Sequence, residues 1–138
     1  SMGGYGALML ALKHPACFGC AASHSGVLAF AHDPVQPRPD LQRLSQEAGP
    51  GYDCFRLAER LASKPARQRP ALRFDCGTDD FLLGHNRAFH AHLEKIGYPH
   101  DYAEHPGYHA WAYWDAHIRE TLAFVMAHLR TRQRRPRA

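Results

Sequence analysis

Apolar and polar positions switch between two periods along this chain, and the switching outlines its elements. Gly3 to Lys13 is dense in Ala, Leu and Met, which favour a helix once the glycines are passed, and Pro15 stops it. The stretch is apolar nearly all round, as expected of a helix buried between a sheet and its neighbours. Phe18 to Ser23 follows as a short buried strand and ends in Ser25-Gly26. Ala71 to Cys76 alternates apolar and polar before it meets Gly77, the pattern of a strand running into a loop. Helical spacing returns from His85 to Ile96, where Phe89, Leu93 and Ile96 form one stripe and Gly97 is placed as a C-terminal cap. Asp101 to Glu104 reads as a short strand. The last helix is expected from Trp111 to Arg130, with Trp114, Ile118, Leu122, Val125 and Leu129 at helical spacing.

From Ala31 to about Pro70 the pattern loosens. Pro34, Pro37, Pro39, Pro50 and Gly51 break it into short pieces, while Leu41 and Leu44, then Phe55, Leu57 and Leu61, suggest two small helices. Because this stretch carries apolar anchors, it reads as a cap or insertion and not as a linker. The succession of helix and strand predicts an α/β fold with a mostly parallel sheet and crossover helices. Three parallel strands leave an edge that a strand before the first helix would normally cover, so residues 1–130 read as the C-terminal portion of a larger domain.

Charge changes this picture little. The formal net charge of +4 is concentrated in Arg130, Arg132, Arg134, Arg135 and Arg137, beside Pro136 and without an apolar anchor. Residues 131–138 are therefore expected to be a basic, solvated tail, and neither nucleic acid nor a membrane is expected as a partner. No apolar run approaches the ~20 residues of a membrane span, and the apolar Ala7–Leu12 stretch has no basic flank before it. A cytoplasmic protein is expected.

The remaining special residues divide quickly. Cys17-Phe-Gly-Cys20 has redox spacing, but Cys17 and Cys20 sit among Ala, Phe and Gly, where a thiol serves as a small buried hydrophobe. Among eleven histidines, His90 with His92 and His105 with His109 have the closest spacings to a metal set, and no Cys or carboxylate completes a four-ligand pattern around either. No metal is expected.

Ser1-Met2-Gly3-Gly4-Tyr5-Gly6 has the form of the second half of a G-x-S-x-G nucleophile elbow. In such an elbow a serine sits on a sharp strand-to-helix turn with its Oγ above the sheet. Gly3 would let the helix approach the strand, with Gly4 and Gly6 removing further crowding. The Met2 N–H at the helix N-terminus would then face a developing oxyanion. Read alone, Ser1 is better explained as a helix cap ahead of a glycine-rich start, or as a residue left by a cloning tag. Its weight comes from order and context. Gly77-Thr78-Asp79-Asp80-Phe81 lies just past one strand, where the acid of a triad belongs. Gly107-Tyr108-His109-Ala110-Trp111 lies just past the next, where the histidine belongs.

With Ser1-Met-Gly-Gly-Tyr-Gly-Ala-Leu8, Cys76-Gly-Thr-Asp-Asp-Phe-Leu82 and Gly107-Tyr-His-Ala-Trp-Ala-Tyr-Trp-Asp-Ala-His117, the chain resembles the esterase D / tributyrin esterase / S-formylglutathione hydrolase group of α/β-hydrolases. That group also holds carbohydrate-ester hydrolases and mycolyltransferases. The resemblance runs along nearly the whole chain and is thinnest from Asp33 to Pro70. It implies a three-layer α/β-hydrolase fold, here its C-terminal half. The missing N-terminal half would carry the first strands and the second oxyanion donor.

The resemblance also sorts the candidates. Its G-x-x-D-x-L pattern selects Asp80 as the acid, with Asp79 in the same loop as the alternative and Asp75, inside the strand, expected to pair with Arg73. His109 is the expected base, with His105 its rival and His24 more loosely placed; His14, His85, His90, His92, His117 and His128 are expected at the surface or as caps. Trp114 is expected in the core, and Trp111 is a candidate for lining the substrate pocket. Together these imply a serine carboxylesterase acting on a small-molecule ester or thioester through an acyl-enzyme on Ser1, with no cofactor. Two other readings stand beside it: an acyltransferase, in which an alcohol or sugar replaces water, and a non-catalytic fragment. The expected partner is the missing N-terminal half, or another copy joined through the open sheet edge.

Overall fold

The computed structural model describes residues 1–30, 32, 39, 43, 46–47 and 49–133. Four helices and three strands alternate along them: α1 (Met2–Lys13), β1 (Cys20–His24), α2 (Cys54–Ala62), β2 (Ala71–Gly77), α3 (Leu83–Lys95), β3 (His100–His105) and α4 (Trp111–Gln133). Single 3-10 turns at Pro50–Tyr52 and Ala66–Gln68 flank α2. The strands form one parallel sheet in the order β1-β2-β3. The small helix expected around Leu41 and Leu44 falls mostly outside the described residues, as do 134–138 of the basic tail. Thr131 to Gln133, assigned to that tail by composition, continue α4.

Alternation along β2 divides the molecule into layers, because successive side chains of a strand leave on opposite faces. Leu72 and Phe74 join the main core with Leu8 and Leu12 of α1, Leu57 and Leu61 of α2, and Phe89 and Leu93 of α3. Arg73 and Asp75 point the other way, toward α4, where Arg73 pairs with Glu120 and Asp75 accepts from Tyr113 Oη at 3.1 Å. This corrects the expected Arg73–Asp75 ion pair. The two side chains share a face, but each has a better placed partner on the helix above. Asp75 is fully buried and both its oxygens lie 2.9 Å from His24 Nδ1, while His24 Nε2 meets Thr121 Oγ1 at 3.1 Å. A carboxylate stripped of water in this way needs such partners. His24 therefore belongs to the layer contact between β1, β2 and α4.

Several other expectations shift. The first strand begins at Cys20, not Phe18, whose ring is 43% exposed. Cys17 is exposed and not a buried hydrophobe. His85 is buried instead of at the surface, and its Nδ1 accepts from the Ala29 amide at 3.2 Å. Helix α1 is not apolar-covered all round: Leu8, Ala11 and Leu12 are buried, whereas Met2 and Leu10 are exposed. The stripe on α4 is likewise partly open, with Ile118, Leu122 and Leu129 exposed and Trp114 and Val125 half-buried.

No helix among the described residues is long and apolar enough to cross a membrane. The outer edge of β1 has no partner strand among the described residues, and an unpaired edge beside open apolar faces is a template for association. Each large side chain so exposed forgoes about 1.5–3 kcal/mol of burial. The 138-residue segment expressed by itself is therefore expected to elute in size-exclusion chromatography as species larger than one chain, growing with concentration. A concentration-independent monomer with a sharp melting transition would contradict this.

Candidate active site

The C-terminal ends of all three strands converge on one place, and backbone hydrogen bonds hold their loops together. After β2, the Thr78 amide donates to His105 O at 2.9 Å and the Asp79 amide to Gly107 O at 3.0 Å. These two bonds tie the acidic loop to the loop after β3. The fit is close enough that a Cβ on Gly77 would overlap the Gly107 carbonyl. Gly107 itself has φ 147°, which favours glycine.

Within this frame Asp80 and His109 meet. His109 Nδ1 lies 3.1 Å from Asp80 Oδ1 and 2.9 Å from Oδ2. The Asp80 side chain is wholly buried, and the Leu82 amide donates to its Oδ1 at 2.8 Å. A carboxylate accepts only, so His109 carries its proton on Nδ1 when the ring is neutral, and Nε2 is left with a free lone pair. Asp79 is exposed and accepts from Thr78 Oγ1 at 3.2 Å. His105 lies elsewhere: its ring stacks on His117 at 4.0 Å between centroids and faces Glu120.

Ser1 sits at the C-terminal end of β1. Its nitrogen donates to His24 O at 3.2 Å, and its carbonyl accepts from the Val27 amide at 3.4 Å and the Tyr5 amide at 3.2 Å. Its side chain makes no capping bond to α1 and is exposed, so the hydroxyl is not consumed by the helix. Of the glycines that follow, only Gly4 is closely packed: an added Cβ would collide with the Ser23 side chain and stand 3.1 Å from Gly26 Cα. Gly3 and Gly6 have open space, so the crowding assigned to them does not arise. Met2 is at the first turn of α1, where backbone N–H groups lack helical partners.

Aromatic rings frame His109. Phe81 packs at 4.7 Å and Trp114 stands edge-on at 5.1 Å. Trp114 is thus half-buried beside the histidine and not in the core, because Tyr113 takes the inward position. Its Nε1 donates to Ser25 Oγ at 3.2 Å, and Ser25 has the unusual φ of 50°. Trp111 is 83% exposed and touches Trp114 at 5.1 Å between centroids. Sequence reasoning missed Phe81, Ser25 and Asn86. Fully buried Asn86 donates to Gly26 O at 3.0 Å and Leu82 O at 2.9 Å, joining the loop after β1 to the acidic loop. An asparagine among core positions of α3 was the available signal. Cys76, beneath the site, is no rival nucleophile, since burial above all pushes its thiol up to about 12.

A model of the putative-esterase family matches residues 1–125. The chain belongs to this family. Among its relatives, an acetyl esterase of Caldicellulosiruptor saccharolyticus is 27% identical over 143 residues, covering 91% of this chain and 52% of its own. An S-formylglutathione hydrolase of Staphylococcus aureus superposes with a TM-score of 0.70 at 28% identity, over 90% of this chain and 51% of its own. A fluorophosphonate-binding serine hydrolase of the same organism superposes with a TM-score of 0.73 at 30% identity, again over 90% and 51%. The chain thus has the α/β-hydrolase fold in part, and spans about half the length of the relatives it matches.

The frame yields a stability test. Gly77→Ala is expected to destabilise by about 1–3 kcal/mol, as overpacking does, because the obstructing group is backbone. Gly6→Ala, in open space on a helix, is expected to stabilise by roughly 0.5–1 kcal/mol. Denaturant unfolding of both variants in the protein containing this segment checks the pair, and equal effects would show that the two loops are not held in close contact.

Proposed function

We infer that the protein is a serine carboxylic-ester hydrolase that works through an acyl-enzyme on Ser1. The observation that carries this reading is the Asp80–His109 pair, a buried carboxylate bonded to one nitrogen of an imidazole whose other nitrogen is free to take a proton. Ser1, at the end of the adjacent strand, supplies a hydroxyl with no capping role. Membership of the esterase family supports the same chemistry.

In this reading Ser1 Oγ attacks the acyl carbonyl while His109 Nε2 accepts its proton. Asp80 holds the Nδ1–H tautomer and stabilises the imidazolium that forms. The Met2 N–H, at the positive end of α1, donates to the oxyanion. Collapse of the tetrahedral intermediate expels the alcohol or thiol, which takes the proton from His109. Water then attacks the acyl-enzyme with His109 again as base, releasing the acid and restoring Ser1. Exposed Phe81, packed on His109, and exposed Trp111, packed on Trp114, offer apolar surface to the substrate. Relatives named for acetyl and S-formyl groups make a short acyl ester or thioester the first substrate to test.

Two measurements on the protein containing this segment decide the roles. A fluorophosphonate probe is expected to label Ser1, and Ser1→Ala to abolish labelling; label persisting on Ser25 would remove Ser1 from the mechanism. With p-nitrophenyl acetate, Asp80→Asn is expected to lower kcat by orders of magnitude, about 10⁴-fold in the analogous protease substitution, with the fold retained. Asp79→Asn should have a far smaller effect, and the opposite ranking would transfer the role to Asp79.

A further inference from the structure

We propose that His90, Glu94 and His100 form a binding site for zinc or a similar divalent transition metal, on the side of the molecule where α3 meets β3. Potential ligand atoms of the three residues all lie within 4.8 Å of one another. His90 and Glu94 are one helical turn apart on α3 and so share a face. His100 opens β3 and brings the third group across the Gly97 turn.

Hydrogen bonding orients the ligands. His100 Nδ1 lies 2.7 Å from Tyr98 O, which can only accept, so the proton of the neutral ring is on Nδ1 and the Nε2 lone pair is free. That lone pair is aimed at His90 Nδ1, 2.8 Å away. Imidazole ligands of metals characteristically donate their second N–H to a carbonyl or carboxylate, which is the part Tyr98 O plays here. Tyr98 is itself fixed: it is buried, its amide donates to Leu93 O at 2.9 Å, and its hydroxyl donates to Pro70 O at 2.8 Å. Both rings are also held by stacking, His100 on Phe74 at 5.6 Å and His90 on Tyr102 at 4.5 Å.

In the metal-free protein one proton bridges His90 and His100. On binding, His90 shifts to its Nε2–H tautomer, the ring staying neutral, and two nitrogen lone pairs face the ion. Zn–N bonds of about 2.0–2.1 Å in a tetrahedron place the two nitrogens ~3.3 Å apart, an opening of roughly 0.5 Å from their present separation. Glu94, exposed and without an ion-pair partner among the described residues, supplies the carboxylate, and water takes the fourth position. Two imidazoles and one carboxylate suit zinc and its neighbours better than magnesium or calcium. The pairing differs from the His90–His92 spacing seen in the sequence, because His92 turns to Glu59 at 3.5 Å. A second cluster, His105, His117 and Glu120, is less suited, since Arg73 already neutralises Glu120.

The test is zinc binding by metal-stripped protein containing this segment, read by isothermal titration calorimetry and by thermal shift. One ion per chain is expected at a site that raises Tm. Glu94→Gln, a surface change that spares the fold, should weaken this site by about tenfold or more, as loss of a group in a metal site does. His90→Gln should do the same, and His117→Gln should leave it intact. Unchanged binding in Glu94→Gln and His90→Gln, loss of binding in His117→Gln, or no stoichiometric uptake by the wild-type protein would each overturn the proposal.

Discussion

The parallel pairing of β2 with β3, in the register that sets Gly77 against His105, is the constraint on which the candidate site depends. Both loops leave the sheet side by side from this pair, and the absence of a side chain at Gly77 lets the Gly107 carbonyl come against it. Amides of Thr78 and Asp79 then bond across the gap, so each loop supplies the partners the other would otherwise take from water. Asp80 and His109 meet because their backbones are already joined. Their own contact adds orientation to a frame that exists without it.

Opposite faces of the sheet solve different problems. Toward α1, α2 and α3, β2 presents Leu72 and Phe74 to an apolar core, where burial and packing suffice. Toward α4 it presents Arg73 and Asp75, and every buried charge there needs a partner. Glu120 answers Arg73, while His24 and Tyr113 answer Asp75. Tyr113, held inward with its hydroxyl on Asp75, also fixes the rotation of α4. Trp114 is thereby turned toward His109 and Ser25, linking this polar layer to the site.

Much of the fold was legible along the chain because one period governs each element. The strand at Ala71–Gly77 alternates, and its loop begins with the glycine that the close approach requires. Strand and helix ends moved by one to three residues, as at Phe18 and Arg130. Apolar content misled at α1 and α4, since composition records that Leu10 or Leu122 is apolar but not whether anything covers it.

The site divides along the same line. Sequence by itself determined that a serine opens the first helix and that an acid and then a histidine follow strand ends, because turn glycines and strand patterns are local properties. The G-x-x-D-x-L pattern pointed to Asp80, but only the tertiary structure brings its carboxylate to His109, 29 residues away, while Asp79 turns to Thr78. The same holds for Arg73 with Glu120, for Asp75 with His24, and for His90 with His100. Each of these pairings joins residues that no local period relates, so it comes into being only when the sheet brings its strands together.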